Sequence, residues 1–184
     1  MKSVMKKYLV CCLILIGIAA CSTRDHRELP NDILTDKTLI GSWKLDNYKV
    51  SGVTKGYYRG FQFEGTVSSF GKNYQMFFTF HHDHRLELKG RFTMVTTSTT
   101  NNITQKLERD VQIINGFSNQ ATWEIQSNSI YIHSKEGIYE IPYTLHESGE
   151  VELNFPIHQI NDVNHIEVRT QGIQTVELVK IGAY

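Results

Sequence analysis

The stretch FTFHHDHRLEL, residues 78–88, places His81, His82, Asp83 and His84 side by side. Imidazole nitrogens and a carboxylate are ligands that zinc takes at about 2.0–2.2 Å. Along an extended strand, successive side chains point to opposite faces, so His82 and His84 are the pair that can share one. A fixed zinc needs three or four ligands, and this geometry offers two. Met76, Phe78 and Phe80 alternate up to the cluster, and Leu86 and Leu88 alternate after it. The cluster is therefore read as the solvated tip of a hairpin. His82 and His84 are kept as the candidate metal pair, but no metal or other cofactor is expected.

Other chemistry has less to stand on. Glu150 and Glu152 share a strand face, and adjacent carboxylates can split their pKa values into an acid and a base. With Val151, Leu153 and Phe155 on the opposite face, the two acids read as the solvent side of a strand. His133, His146, His158 and His165 are scattered and read as surface residues. There is no Gly-x-Ser-x-Gly elbow, no His-Glu-x-x-His and no phosphate-cradling glycine loop. The expectation is a non-enzyme with no catalytic residue.

Aromatic residues carry the remaining signal. Tyr57, Tyr58, Phe61, Phe63, Phe70 and Tyr74 crowd one stretch, with Phe77, Phe78 and Phe80 just beyond. Core is the usual fate of phenylalanine. The functional alternative is the lining of an apolar pocket, with tyrosine hydroxyls at its mouth. The candidate ligand-binding residues are Tyr57, Tyr58, Phe61, Phe63, Phe78 and Trp123.

The elements that must position these residues are strands. Leu86 and Leu88, Trp123 and Ile125, Ile130 and Ile132, Val151 to Phe155, and Ile166 and Val168 all alternate with polar residues. That is the period of half-buried antiparallel strands. Turn signals at Gly56, Gly65, Gly71, Gly116, Ser127-Asn128, Glu136-Gly137, Ser148-Gly149 and Asn161-Asp162 separate about ten strands. Pro142 suits an edge or a bulge. Asn101-Asn102 suits a two-residue hairpin turn after the Thr-rich run from Arg91 to Thr100, which reads as exposed. Ile103, Leu107, Val111 and Ile114 also fit a helix face, so a helix over 103–114 is the lesser alternative to a long hairpin.

The N-terminus reads as an address. Lys2, Lys6 and Lys7 precede the apolar run YLVCCLILIGIAA, Tyr8 to Ala20, whose 13 residues are too few to span a bilayer. Ile18-Ala19-Ala20-Cys21 resembles the lipobox of bacterial lipoproteins. That resemblance implies cleavage between Ala20 and Cys21 and acylation of Cys21, so the partner would be a lipid bilayer. Residues 1–20 are then signal peptide, 21–38 anchor and polar tether with a short turn at 31–34, and 39–184 the domain. Of three cysteines, Cys11 and Cys12 leave with the signal, so the domain has no disulfide. Losing Lys2, Lys6 and Lys7 shifts the formal charge from 0 to −3, which gives no case for nucleic acid.

Gly41-Ser42-Trp43-Lys44-Leu45 opens the first strand, and this G-x-W-K-L resembles the signature of lipocalin-like lipoproteins of the Bacteroidetes type. Residues 122–155 and the closing TVELVKI at 175–181 are similar to the same group. The resemblance covers most of residues 39–181. It implies an all-β, antiparallel up-and-down lipocalin-like barrel of about 8–10 strands. Gly41 and Trp43 would be structural, with the indole closing one end. A basic residue would lie over it, either Arg169 or Lys180. The implied function is non-catalytic binding of a small apolar or amphipathic molecule in the cell envelope, on the periplasmic side of the outer membrane. The alternative is a filled barrel that holds a protein or glycan. A hollow interior would separate the two, and the large residues at inward positions leave that open.

Overall fold

A computed structural model describes residues 34–58, 61–116, 121–163 and 166–182. The segment read as signal peptide, Ala20, Cys21 and the stretch read as tether through residue 33 lie outside the described residues. The described residues are all-β apart from one helical turn, α1 (Asp36–Leu39). The strands are β1 (Gly41–Tyr58), β2 (Phe61–Phe80), β3 (Leu86–Thr100), β4 (Ile103–Gly116), β5 (Thr122–Gln126), β6 (Ser129–Ser134), β7 (Gly137–Leu145), β8 (Val151–Val163) and β9 (Ile166–Gly182). They form one antiparallel up-and-down sheet in the order β4-β3-β2-β1-β9-β8-β7-β6-β5.

The sheet curls on itself, but among the described residues no ladder of hydrogen bonds closes it into the expected barrel. Strand length is the reason. β1 to β4 have 18, 20, 15 and 14 residues, whereas β5 and β6 have 5 and 6. The short strands reach only one end of the long ones. There the two sides meet through a single bridge, Arg85 to Thr122. Its backbone bonds run from Leu86 N–H to Ala121 O (3.0 Å) and from Trp123 N–H to His84 O (2.8 Å).

That end holds the core. Trp43, Trp123, Phe80, Leu34, Leu39, Met76, Ile130 and Leu178 are among its fully buried side chains. Leu34 is 1% exposed, and its N–H donates to the Tyr143 hydroxyl at 3.1 Å. The packed body therefore starts inside the segment read as tether, before residue 39. α1 is held by a capping box, Thr35 with Thr38, which satisfies backbone donors that a single turn cannot.

Several turn signals lie within strands. Gly56 and Gly71 are covered by the rings of Phe63 and Tyr74, and Gly65 packs against Thr99 and Thr100 of the neighbouring strand. Glycine here admits close approach rather than making a turn. Asn161-Asp162 lies inside β8. The Asn101-Asn102 turn is as expected: Thr100 pairs with Ile103, and both asparagines have positive φ, 50° and 63°. Residues 103–114 are strand, so the long hairpin holds and the helix does not. Pro142 sits in β7 at the point where that strand changes partners from β6 to β8.

Candidate functional site

The closed end and its signature residues come first. Gly41 has a φ of 131°, a conformation that a side chain disfavours, and so its identity follows from the backbone. It starts β1, and two residues later the Trp43 indole turns into the core. The Trp43 Nε1–H donates to Leu39 O at 2.7 Å, tying the ring to the last residue of α1. Lys180 is the basic residue over that ring. It pairs with Trp43 across β1 and β9, its Nζ lies 5.3 Å from the ring centroid, and it donates to Thr38 O at 2.6 Å. Arg169 instead pairs with Lys55, far along the strands, and its side chain engages Glu167.

Above this plug the sheet encloses a cavity of about 370 Å³, within the range of small-molecule sites. Its base is apolar, with Leu45, Phe78, Leu88, Met94, Ile132 and Leu153 among the lining residues. Its upper wall is hydroxyl and amide: Thr54, Thr66, Thr96, Ser98, Thr170 and Gln174. The space exists because inward positions at that level are small. Val50 pairs with Ser69, and Ser69 with Thr96; Gly52 pairs with Gly172 and Val67. The strands there approach so closely that a Cβ on Gly172 would meet the backbone of Ser51 and Gly52. The Thr-rich run of β3 is therefore half-buried wall rather than exposed strand.

Polar groups of the wall are largely paired. The Ser69 and Thr96 hydroxyls lie 2.9 Å apart, and those of Thr54 and Thr170 are 3.3 Å apart. The Tyr48 hydroxyl reaches Gln174 Oε1 at 3.5 Å, and its ring packs on Phe92 with centroids 5.0 Å apart. Its backbone N–H donates to the Tyr74 hydroxyl at 3.0 Å. Burial pushes the Tyr74 phenol up, with Asp46 and Glu177 adding to the shift against the hydrogen bond from Tyr48.

Of the six residues expected to bind ligand, the structure places Phe78 in the cavity wall. Trp123 is buried beneath it, edge-on to Phe80 at 5.6 Å, and belongs to the plug. Phe63 covers Gly56. Tyr57 and Phe61 are 61% and 77% exposed at the far end of the long hairpin. The side chain of Tyr58 lies outside the described residues. Phe61 and Phe63 stand on the same alternation as Ser69, so distance along the hairpin rather than phase takes them past the cavity; a bulge follows between Lys72 and Gln75, with Asn73 at a φ of 57°. A bulge shifts the phase of a strand. Ser69 faces in before it and Met76, Phe78 and Phe80 after it, so one alternation cannot be carried through.

Sequence reasoning missed Tyr48, Arg109 and Gln174. Arg109 left a signal: it stands on the same alternation as Val111 and Ile113, where an apolar residue is due.

The histidine cluster is a tip, as read. His84 N–H donates to His81 O at 3.0 Å, and His81 N–H to Arg85 O at 2.9 Å. His84 takes positive φ, its Nδ1 lies 3.1 Å from Trp123 O, and its ring packs 4.8 Å from the Trp123 ring. His81 faces Glu87, and Asp83 faces Arg85, whose hydrogen bond holds the carboxyl below its usual range. Among the described residues no three His, Cys, Asp or Glu side chains are grouped to hold a metal. Glu152 accepts from Asn154 at 2.7 Å and Glu150 from Ser148 at 3.2 Å, so each is engaged locally.

In comparisons with family models, curated proteins and solved structures, nothing matches this chain.

Proposed function

We propose that the protein is a lipid-anchored, lipocalin-like lipoprotein of the bacterial envelope, non-catalytic, that carries a small amphipathic molecule in the cavity between its long strands. The single observation that carries this reading is the cavity, with an apolar base and a hydroxyl-and-amide upper wall. A chain that held its partner only on the outside would gain by filling that space, because each missing contact in a core costs stability. Small lining residues, Ser69, Thr96 and Ser98 among them, leave it open instead. The lipocalin likeness is supported by the buried Trp43 indole at one end, two residues after Gly41, with Lys180 over its ring.

Cys21 is the proposed anchor, since two or three acyl chains hold a protein to a bilayer far more firmly than one. The outer membrane, facing the periplasm, is the proposed location.

The test is native mass spectrometry of the full chain, expressed from its own start in a Gram-negative host and purified from membranes. The expected result is a polypeptide beginning at Cys21 with added acyl mass, carrying a small molecule that leaves on denaturation. A chain found in the soluble fraction with Cys21 unmodified would overturn the anchor. A chain that arrives bare and also takes up no added alkyl probe would overturn the carrier.

A further inference from the structure

Arg109 lies in β4 opposite Met94 and lines the cavity between an apolar base and a hydroxyl wall. It is the only charged side chain among the described lining residues. Its side chain makes no ion pair and no hydrogen bond among the described residues, and its Nε is buried without a partner. Its neighbours in β4 are spent on the other face. Glu108 pairs with Lys72 at 2.8 Å, and Asp110 accepts from the Thr93 hydroxyl at 2.8 Å.

A guanidinium stays charged throughout the physiological range, and burying any part of it unpaired is costly. Apolar residues stand below it on the same alternation, Val111 and Ile113. An apolar residue at 109 would fill the wall at no such cost. What offsets it is an acceptor that comes with the ligand. A guanidinium offers donors in a planar fork that matches a carboxylate or a phosphate oxygen pair. Phe92 and Leu88 lie below it and Met94 beside it, and all three suit an alkyl tail.

We infer that Arg109 is the head-group residue of this cavity, and that the ligand is a single-chain amphiphile with an anionic oxygen head and an alkyl tail directed to the base. This rests on the carrier reading above and narrows its ligand class.

The experiment is calorimetric titration of the full chain, held in a non-ionic amphipol, with dodecanoate, dodecyl phosphate and dodecanol. The three share one tail and differ in the head. At least one anion should bind roughly 10- to 100-fold tighter than the alcohol, the range for a charge-assisted hydrogen bond. The preferred anion tells a carboxylate ligand from a phosphate one. Arg109→Gln should abolish that preference, weakening the anion by about the same 10- to 100-fold and dodecanol by much less. For carboxyl-labelled dodecanoate, the bound acid should titrate below the free acid in the unaltered chain and not in the variant. Arg109→Met should raise the unliganded melting temperature by a few degrees, because an unpartnered charge is replaced by a side chain that packs. This also guards against a variant that fails to fold.

Equal affinity for anion and alcohol would overturn the role of Arg109 and leave the carrier standing. So would an anion preference that survives Arg109→Gln. Binding of none of the three probes would overturn both.

Discussion

At the scale of single residues, the closed end turns on a few polar atoms inside an apolar cluster. The Trp43 indole is 2% exposed, and its one donor finds Leu39 O at 2.7 Å. A buried carbonyl stripped of its donor costs about 1–3 kcal/mol. Trp43→Phe should therefore destabilise the fold by at least that much, with the smaller ring adding a cavity cost. Urea denaturation checks it: the midpoint should fall while the slope stays unchanged. Lys180 works at the same place from outside, since its ammonium lies over the indole and donates to Thr38 O. His84 ties the hairpin tip to the plug, with its ring packed on Trp123 and its Nδ1 bonded to the Trp123 carbonyl.

At the scale of elements, long strands are kept curved by bulges and glycines. β1 shifts register between Lys44 and Lys49, and β2 between Lys72 and Gln75. Gly90, at a φ of 126°, lies where β3 passes the β2 bulge. Each device adds twist that a flat sheet lacks, and twist lets one sheet wrap round a cavity. The β3–β4 hairpin depends on a tighter device. Asn101 and Asn102 both take left-handed φ, as a two-residue turn of the favoured hand requires. A β-branched side chain there costs about 1–2 kcal/mol. Asn102→Val should lower stability by that amount, and Asn102→Gly should hold or raise it. Thermal melts of the pair, run side by side, decide the sign.

At the scale of the whole molecule, the fold has a packed end and a hollow end. α1, the two tryptophans and the short strands β5 to β7 make the packed end. The long strands run past it, and small inward residues keep their interior open. The hollow part contributes little apolar contact, so a larger side chain should be tolerated there. Ser98→Phe is expected to change the melting temperature by no more than a few degrees while cutting uptake of an alkyl probe by tenfold or more. Fluorescence displacement against the unaltered chain measures both affinities. A loss of stability comparable with that of a core truncation, about 2–5 kcal/mol, would mean that the space is not free.

By itself the sequence determined the all-β class, the antiparallel pairing and much of the core. Alternation marks Leu86, Leu88, Ile130, Ile132, Val151 and Leu153 as inward, and all six are buried. It also marked the Asn101-Asn102 turn and the histidine tip, because turn chemistry is local. What only the tertiary structure decided is everything that depends on counting across a bulge or along unequal strands. The Lys72–Gln75 bulge brings Phe78 to the face that Ser69 occupies, and distance along the hairpin leaves Phe61, on the alternation of Ser69, outside. The short β5 and β6 kept the sheet from closing as a barrel. Glycines that read as turns became close contacts between strands, and the Thr-rich run became a cavity wall. Leu34 joined the core from a stretch whose composition is that of a linker. Period two is a local property of a strand, whereas a cavity is set by which small residues meet at one level of several strands, and no single strand carries that information.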